Sequence, residues 1–311
     1  MLRLLIIIFT LVEFNCENLF DTRHDDGKQD EEFLPESPKR WTNYRYWQKL
    51  QHISQAIVSC GEGDTVAWLP DMALLTEVEN DSVMRDLTHR SPLRHARYDY
   101  VMTDSPDQRG IDIALLYSPF SFRLISHHSV RVEPPAGRRP TRDILYACGQ
   151  VITGDTLHVI GIHAPSRAGG EAASRPYRMK VAERLCQIVD SISKACRDPL
   201  VVIAGDFNDY SGDASLLPLS GRGLTEVSFK AKGSHGAKGT YRYHGEWGSL
   251  DHVFCSQRLT AMARGCRVND MPFLLEKDKK YGGVKPRRTY LGPRYLGGFS
   301  DHLPLVATFE F

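Results

Sequence analysis

Three polar clusters abut apolar runs in this 311-residue chain: Thr76-Glu77-Val78-Glu79-Asn80, Gly205-Asp206-Phe207-Asn208-Asp209 and Ser300-Asp301-His302-Leu303-Pro304. Each offers hard oxygen donors or an imidazole where a strand would deliver side chains to a shared cleft. Asp206 and Asn208 lie two apart, so an extended backbone projects them to one side, where they can hold a single water from two directions. Gly205 lets the chain turn beside them. Glu77 is a single carboxylate, and a hard divalent cation takes one or two protein carboxylates while keeping water and substrate oxygens for its other positions. Such a cation beside an activated water and an imidazole points to metal-assisted hydrolysis of a phosphoester.

The runs that carry these clusters are short and rich in β-branched or aromatic residues. Met72–Leu75, Leu200–Ala204 and Leu303–Phe311 are predicted strands, as are Ile111–Tyr117 and Leu157–Ile162. Tyr46, Leu50, Ile53 and Ile57 recur at helical spacing in a segment that ends near Gly61, and Val181, Leu185, Ile188 and Ile192 do the same ahead of Pro199. Each helix feeds a strand that ends in a candidate site residue. Taken singly, the polar groups have bland readings. An Asp-Asn pair after a strand is ordinarily a turn former, and a histidine such as His163 in Gly161-Ile162-His163-Ala164-Pro165 is ordinarily a partly buried, hydrogen-bonded residue.

Joint occurrence changes the weight. The order Asn15, Glu77, His163, Asp206 with Asn208, Asp251, then Asp301 with His302 resembles the endonuclease/exonuclease/phosphatase superfamily of deoxyribonuclease I-like hydrolases, from about residue 10 to the C-terminus. The resemblance implies an α/β (α+β) fold, a four-layer α/β/β/α sandwich of two packed mixed sheets flanked by helices, in one domain over residues 1–311. It implies magnesium or manganese held by Glu77, with Asn15 supporting that ligand, Asp301 near the metal and Glu17 adding a water-mediated contact. Asp206 is implied to orient or deprotonate the attacking water and Asn208 to hold that water or a phosphate oxygen. His302 would face the scissile phosphate with Asp251 fixing its tautomer, and His163 would be a second phosphate-facing imidazole.

Charge is nearly balanced, with 39 Lys and Arg against 38 Asp and Glu, which argues against a wholly basic nucleic-acid surface. Locally, Lys277, Lys279, Lys280, Lys285, Arg287, Arg288 and Arg294 face only Asp278 across 18 residues that run into the last cluster. These cations, a second group at Arg138, Arg139 and Arg142, and the aromatics Tyr241, Tyr243 and Trp247 suggest a nucleic-acid phosphodiester as first substrate. Arg109, Arg167, Lys285, Arg287 and Arg288 are the candidate phosphate contacts. The alternatives are a phosphatase or phosphodiesterase acting on a small or lipid-linked phosphoester, and a non-catalytic phosphate-binding protein.

The seven cysteines form no Cys-x-x-Cys pair and read as free thiols, which leans toward a reducing, cytoplasmic setting. Arg3 followed by Leu4–Phe9 resembles a short signal-peptide core, so residues 1–9 form a signal-like or extended leader and export stays open. The run is too short to span a bilayer, and Asn15 follows so closely that it reads chiefly as a buried strand.

Overall fold

The structure, a computed structural model, describes residues 7–61, 68–167 and 169–311. In chain order the strands are β1 (Ile8–Leu19), β2 (Met72–Val78), β3 (Asp99–Met102), β4 (Asp112–Tyr117), β5 (Phe122–Val130), β6 (Ile144–Val151), β7 (Thr156–His163), β8 (Leu200–Asp206) and β9 (Thr225–Glu226). There follow β10 (Tyr241–Tyr243), β11 (Glu246–Gly248), β12 (Asp251–Cys255), β13 (Ala263–Val268), β14 (Leu275–Lys277), β15 (Val284–Pro286), β16 (Tyr290–Leu291), β17 (Arg294–Tyr295) and β18 (Leu305–Glu310). Two six-stranded mixed sheets, ordered β13-β18-β1-β2-β4-β3 and β5-β6-β7-β8-β12-β9, pack face to face. All five expected strands form, and Glu77, Asp206 and His163 lie within them rather than beyond their ends.

Two crossovers set the geometry. The helix α1 (Asn43–Val58) connects parallel neighbours β1 and β2, the short α2 (Asp81–Arg85) follows β2, and α3 (Glu171–Ala195) connects parallel neighbours β7 and β8. Parallel partners must run the same way, so each crossover brings two strand C-termini to one edge of its sheet. The apolar face of α1, with Tyr46, Leu50, Ile53 and Ile57, is buried against the first sheet. On α3, Val181, Leu185, Val189 and Ile192 bury against Ile160, Ile162, Val201 and Ile203 of the second sheet, and Ile188 packs at the margin. This is the four-layer α/β/β/α sandwich.

Gly161 marks how closely the sheets approach. A Cβ there would lie 2.6 Å from Leu74 Cδ1 and 3.0 Å from Ile113 Cγ2, atoms of the facing sheet. Of the expected leader, residues 1–6 lie outside the described residues. Ile7 already pairs with Phe311, donating its N–H to Phe311 O at 3.2 Å, and the apolar run continues directly into β1. Cys16, Cys148, Cys186, Cys196, Cys255 and Cys266 are free thiols, and among the described residues no helix is long and apolar enough to cross a membrane.

Candidate active site

Register brings the candidates together. On the second sheet Asp206 pairs with His163 on one side and Asp251 on the other, so β7, β8 and β12 present three functional side chains in a row. On the first sheet β1 and β2 end side by side with Asn15 opposite Thr76, and His302 lies just before β18, the other neighbour of β1. Asn15 joins the sheets, its Nδ2 donating to Asp206 Oδ2 at 3.1 Å. The resulting cleft, about 200 Å³, is lined by Asn15, Glu77, Arg109, His163, Asp206, Asn208, Asp301 and His302, with Glu17, Asn18, Ser166, Tyr241, Leu250 and Arg288 completing its walls.

Local backbone aims the ligands. The β2–β4 register shifts between Thr76 and Val78, and Glu77 occupies that bulge with φ +60°. Glu17 (φ +49°), Asn18 (φ +57°) and Asn208 (φ +51°) are also left-handed, so four of the nine described non-glycine residues with positive φ crowd this cleft. Each such residue costs on the order of 1 kcal/mol or more, a concentration of strain typical of functional sites. Gly205, at φ +144°, has no alternative: a Cβ would sit 1.9 Å from Ile162 O.

Hydrogen bonds then fix the groups. His302 Nδ1 lies 2.8 Å from Asp251 Oδ2, the oxygen that also accepts from the Thr240 hydroxyl. The Ser300 hydroxyl donates to Asn15 O at 2.6 Å and accepts from His302 N–H at 3.1 Å, tying the last cluster to β1. Asp206 Oδ1 accepts from Asn208 N–H at 2.8 Å, so the turn-forming role holds together with placement in the cleft. The Asn208 amide is anchored on Ala164 O at 3.0 Å. Glu77 Oε2 accepts from Asn18 N–H at 2.9 Å, while among the described residues Oε1 faces Arg109 at 3.6 Å and His163 at 3.8 Å. That oxygen, facing a polar cleft, is a fitting donor for a hard cation.

Electrostatics separate the titratable groups. Burial pushes the Asp206 carboxyl up to about 7, aided by the negative charge of Asp251 and opposed by His302. Burial alone would depress His302, but the Asp251, Asp206 and Asp301 carboxylates outweigh it and hold the imidazole well above its ordinary value. His163 goes the opposite way: burial, then the Arg142 and Arg109 charges, keep it well below. Its Nε2 lies 3.7 Å from Asp206 and 3.8 Å from Glu77, and the neutral ring makes these dipolar contacts rather than ion pairs. The site thus sets a charged imidazole, a neutral imidazole and a carboxyl that ionises near neutrality around one space, the separation that acid–base chemistry needs.

The candidate phosphate contacts divide. Arg109 and Arg288 line the cleft, with Arg288 bridging Glu17 at 3.3 Å and Asp301 at 3.0 Å. Arg167 is engaged by Asp209 and Asp213, Lys285 pairs with Glu276 across the β14–β15 hairpin, and Arg287 lies over the Phe299 ring. Arg142 is buried against Asp107 and donates to Ala164 O, a support beneath the cleft. Tyr241 stacks obliquely on His302 at 4.9 Å, whereas the Tyr243 side chain is exposed.

Sequence reasoning passed over Asn18, whose N–H holds Glu77 and whose Oδ1 accepts from Arg109 at 2.7 Å, and over Thr240. It also passed over Glu13, fully buried on β1, whose carboxyl is driven well above its usual value by burial and by Asp251 and Asp206. A lone carboxylate in the apolar run Leu11-Val12-Glu13-Phe14 was the available signal.

A sequence model of the Endonuclease/Exonuclease/phosphatase family matches residues 10–310, and the chain belongs to that family of phosphoester hydrolases. Among solved structures it is similar to a family member from Bacteroides thetaiotaomicron at 15% identity, covering 99% of each chain with a TM-score of 0.63. A mannosyl-6-phosphatase from the same organism is similar at 16% identity, covering 96% of this chain and 98% of that one, with a TM-score of 0.63. Truncated Caenorhabditis elegans TDP2 is similar at 15% identity, covering 97% of both, with a TM-score of 0.57. No curated protein matches the sequence.

Proposed function

We propose that this chain hydrolyses small phosphoesters with the aid of magnesium or manganese, by in-line attack of a water activated at Asp206. One observation carries the reading: Asp206, Asp251 and His302 offer ligand-type atoms within 4.8 Å of one another, and His163 links them to Glu77 in the same cleft. Glu77 would hold the cation, with Asn15 and Asp301 as neighbours of that site. A cation bound there offsets charge on the phosphoryl oxygens. Asp206, Asp251 and His302 could themselves be read as a metal site, but His302 and Asp251 already satisfy one another and the imidazole is held protonated. They serve better as a proton relay.

In this scheme the ionised form of Asp206, whose share grows as pH rises through about 7, takes the proton of the attacking water, which the Asn208 amide helps to hold. Protonated His302 donates to a phosphoryl oxygen as negative charge builds there, and Asp251 keeps its ring in place. Neutral His163 and the Arg109 guanidinium provide further donors. The leaving oxygen departs from the face opposite the water as an alkoxide and takes a proton from solvent, and Asp206 returns its captured proton to solvent.

Cation placement favours a small substrate over a nucleic acid. Phosphate-backbone binding rests on cations free to replace counterions. Here Lys285, Arg287 and Arg167 are engaged away from the cleft, while Arg109 and Arg288 already face carboxylates. Hydrolysis of p-nitrophenyl phosphate, its bis ester and plasmid DNA, with magnesium, manganese or EDTA and with Asp206→Ala in parallel, tests the proposal. Metal-dependent turnover of the small esters that is lost in Asp206→Ala is expected. DNA cleavage as the dominant activity would restore the nucleic-acid reading, and unchanged turnover in Asp206→Ala would sink the mechanism.

A further inference from the structure

One buried cation connects three of the segments that carry functional side chains. Arg142 lies two residues before β6, its side chain buried and outside the cleft lining. Its Nη1 sits 3.1 Å from Asp107 Oδ2, and its Nη2 donates to Ala164 O at 2.9 Å. Asp107 belongs to loop 103–111 between β3 and β4, strands of the first sheet, while Ala164 directly follows β7 of the second. The guanidinium therefore spans the two sheets beneath the site.

Both acceptors lead on to groups of the proposed mechanism. Asp107 Oδ1 accepts from Arg109 N–H at 2.8 Å and Asp107 O accepts from Gly110 N–H at 3.1 Å, so Asp107 fixes the turn from which Arg109 enters the cleft. From that turn Arg109 Nη2 donates to Asn18 Oδ1 at 2.7 Å and stands 3.6 Å from Glu77 Oε1. On the other side, Ala164 O also accepts from the Asn208 amide at 3.0 Å, its two lone pairs serving both donors. A continuous set of contacts thus leads from Arg109 through Asp107, Arg142 and Ala164 to Asn208.

Loop 103–111 has backbone support of its own. Lys28 Nζ donates to Ser105 O at 2.8 Å and to Asp107 O at 3.2 Å, and the buried Asp112 carboxylate accepts from Ser105 N–H at 3.0 Å. What Arg142 adds is direction. Its planar fork holds the Asp107 carboxylate and the Ala164 carbonyl at fixed angles, which the point charge of an ammonium cannot do.

We infer that Arg142 is a positioning residue of the hydrolytic site, coupling the placement of the Arg109 donor to that of Asn208, which helps to hold the attacking water. The inference rests on the hydrolase reading above. Arg142 acts without touching substrate, so its mark is non-additivity: once the fork is gone, removing Arg109 or Asn208 costs less than it does in the wild type.

The test is a pair of double-mutant cycles in kcat and KM, read with p-nitrophenyl phosphate at saturating magnesium on the full chain, with circular dichroism and thermal melts recorded alongside. Arg109→Met and Asn208→Ala should each lower kcat about 10²-fold in the wild type, the scale of removing one preorganised polar group. Arg142→Lys, which keeps the charge and removes the fork, should itself lower kcat about tenfold, and in its background each of the other two substitutions should cost only about tenfold. An Arg142 that merely stabilises the fold would lower the melting temperature but leave kcat of the folded enzyme and the cost of each partner unchanged, and that result overturns this inference alone. Should Arg142→Lys fail to fold, Asp107→Asn opens the same chain of contacts from its other end, and an undiminished cost of Arg109→Met there overturns the inference equally. Absence of turnover in the wild type would remove the hydrolase reading and this inference with it.

Discussion

Replacing Asp251 with asparagine tests the proton relay directly. The Asp251 side chain is fully buried, and its charge acts on two groups to which the proposed mechanism gives opposite roles, 2.8 Å from His302 Nδ1 and opposite Asp206 in the β12–β8 ladder. With Asp206 near 7 and His302 well above its ordinary value, the wild-type rate should rise with pH as Asp206 ionises and fall at higher pH as His302 loses its proton. The two limbs report the coupled group rather than isolated residues. Asp251→Asn removes a negative neighbour from Asp206, which lowers the Asp206 pKa and moves the acid limb down. It also removes the anion that stabilises imidazolium, which lowers the His302 pKa and moves the alkaline limb down. An opposite charge at this distance is worth roughly 1–3 pH units, so the alkaline limb should travel by that order. The rate at the optimum should fall about 10²–10⁴-fold, the usual contribution of a positioned acid or base. A pH–rate profile of kcat with p-nitrophenyl phosphate at saturating magnesium measures both effects. Limbs that stay in place, or an alkaline limb that moves up, would refute the assignment of Asp251 and His302 as a charge-coupled pair.

Two further predictions concern the frame around the site. Glu13 enters the fold with its carboxyl raised well above 4.5, so folding favours its protonated form. Such a group costs stability progressively as pH rises from its unfolded pKa toward its folded one. Glu13→Gln, neutral at every pH, should therefore gain on wild type in denaturant midpoint from about pH 4.5 upward; a difference that is flat with pH would exclude a buried, protonated Glu13. Gly205→Ala places a methyl 1.9 Å from Ile162 O at a φ of +144°, and backbone on both sides prevents relief. It should cost about 3 kcal/mol or more in chemical denaturation, and a loss below about 1 kcal/mol would show that the β7–β8 junction yields more readily than its geometry implies.

The sequence was most legible where one physical rule governs a whole element. Helical spacing located α1 and α3, and apolar runs located β2, β7 and β8, because burial on both faces leaves these strands no polar alternation. Side chains whose surroundings come from distant segments were harder to read. The charge run at Lys277–Arg294 gives the sign of its residues but not their partners: the β14–β15 register sets Lys285 opposite Glu276, and Arg287 finds the Phe299 ring. Glu13 is a lone carboxylate in an apolar run, and its meaning depends on Asp206 and Asp251, nearly 200 and 240 residues away in the facing sheet. Glu77 shows the boundary most sharply. Simple alternation would put it on the same side as Leu75, in the core. The bulge sets Val78 against Asp112 and Thr76 against Ile113, so Glu77 has no partner in the ladder and turns at φ +60° to meet Asn18 N–H and the cleft. Its residue type announced a ligand, but its direction is a product of pairing among β1, β2 and β4 that emerges only when the sheet is assembled.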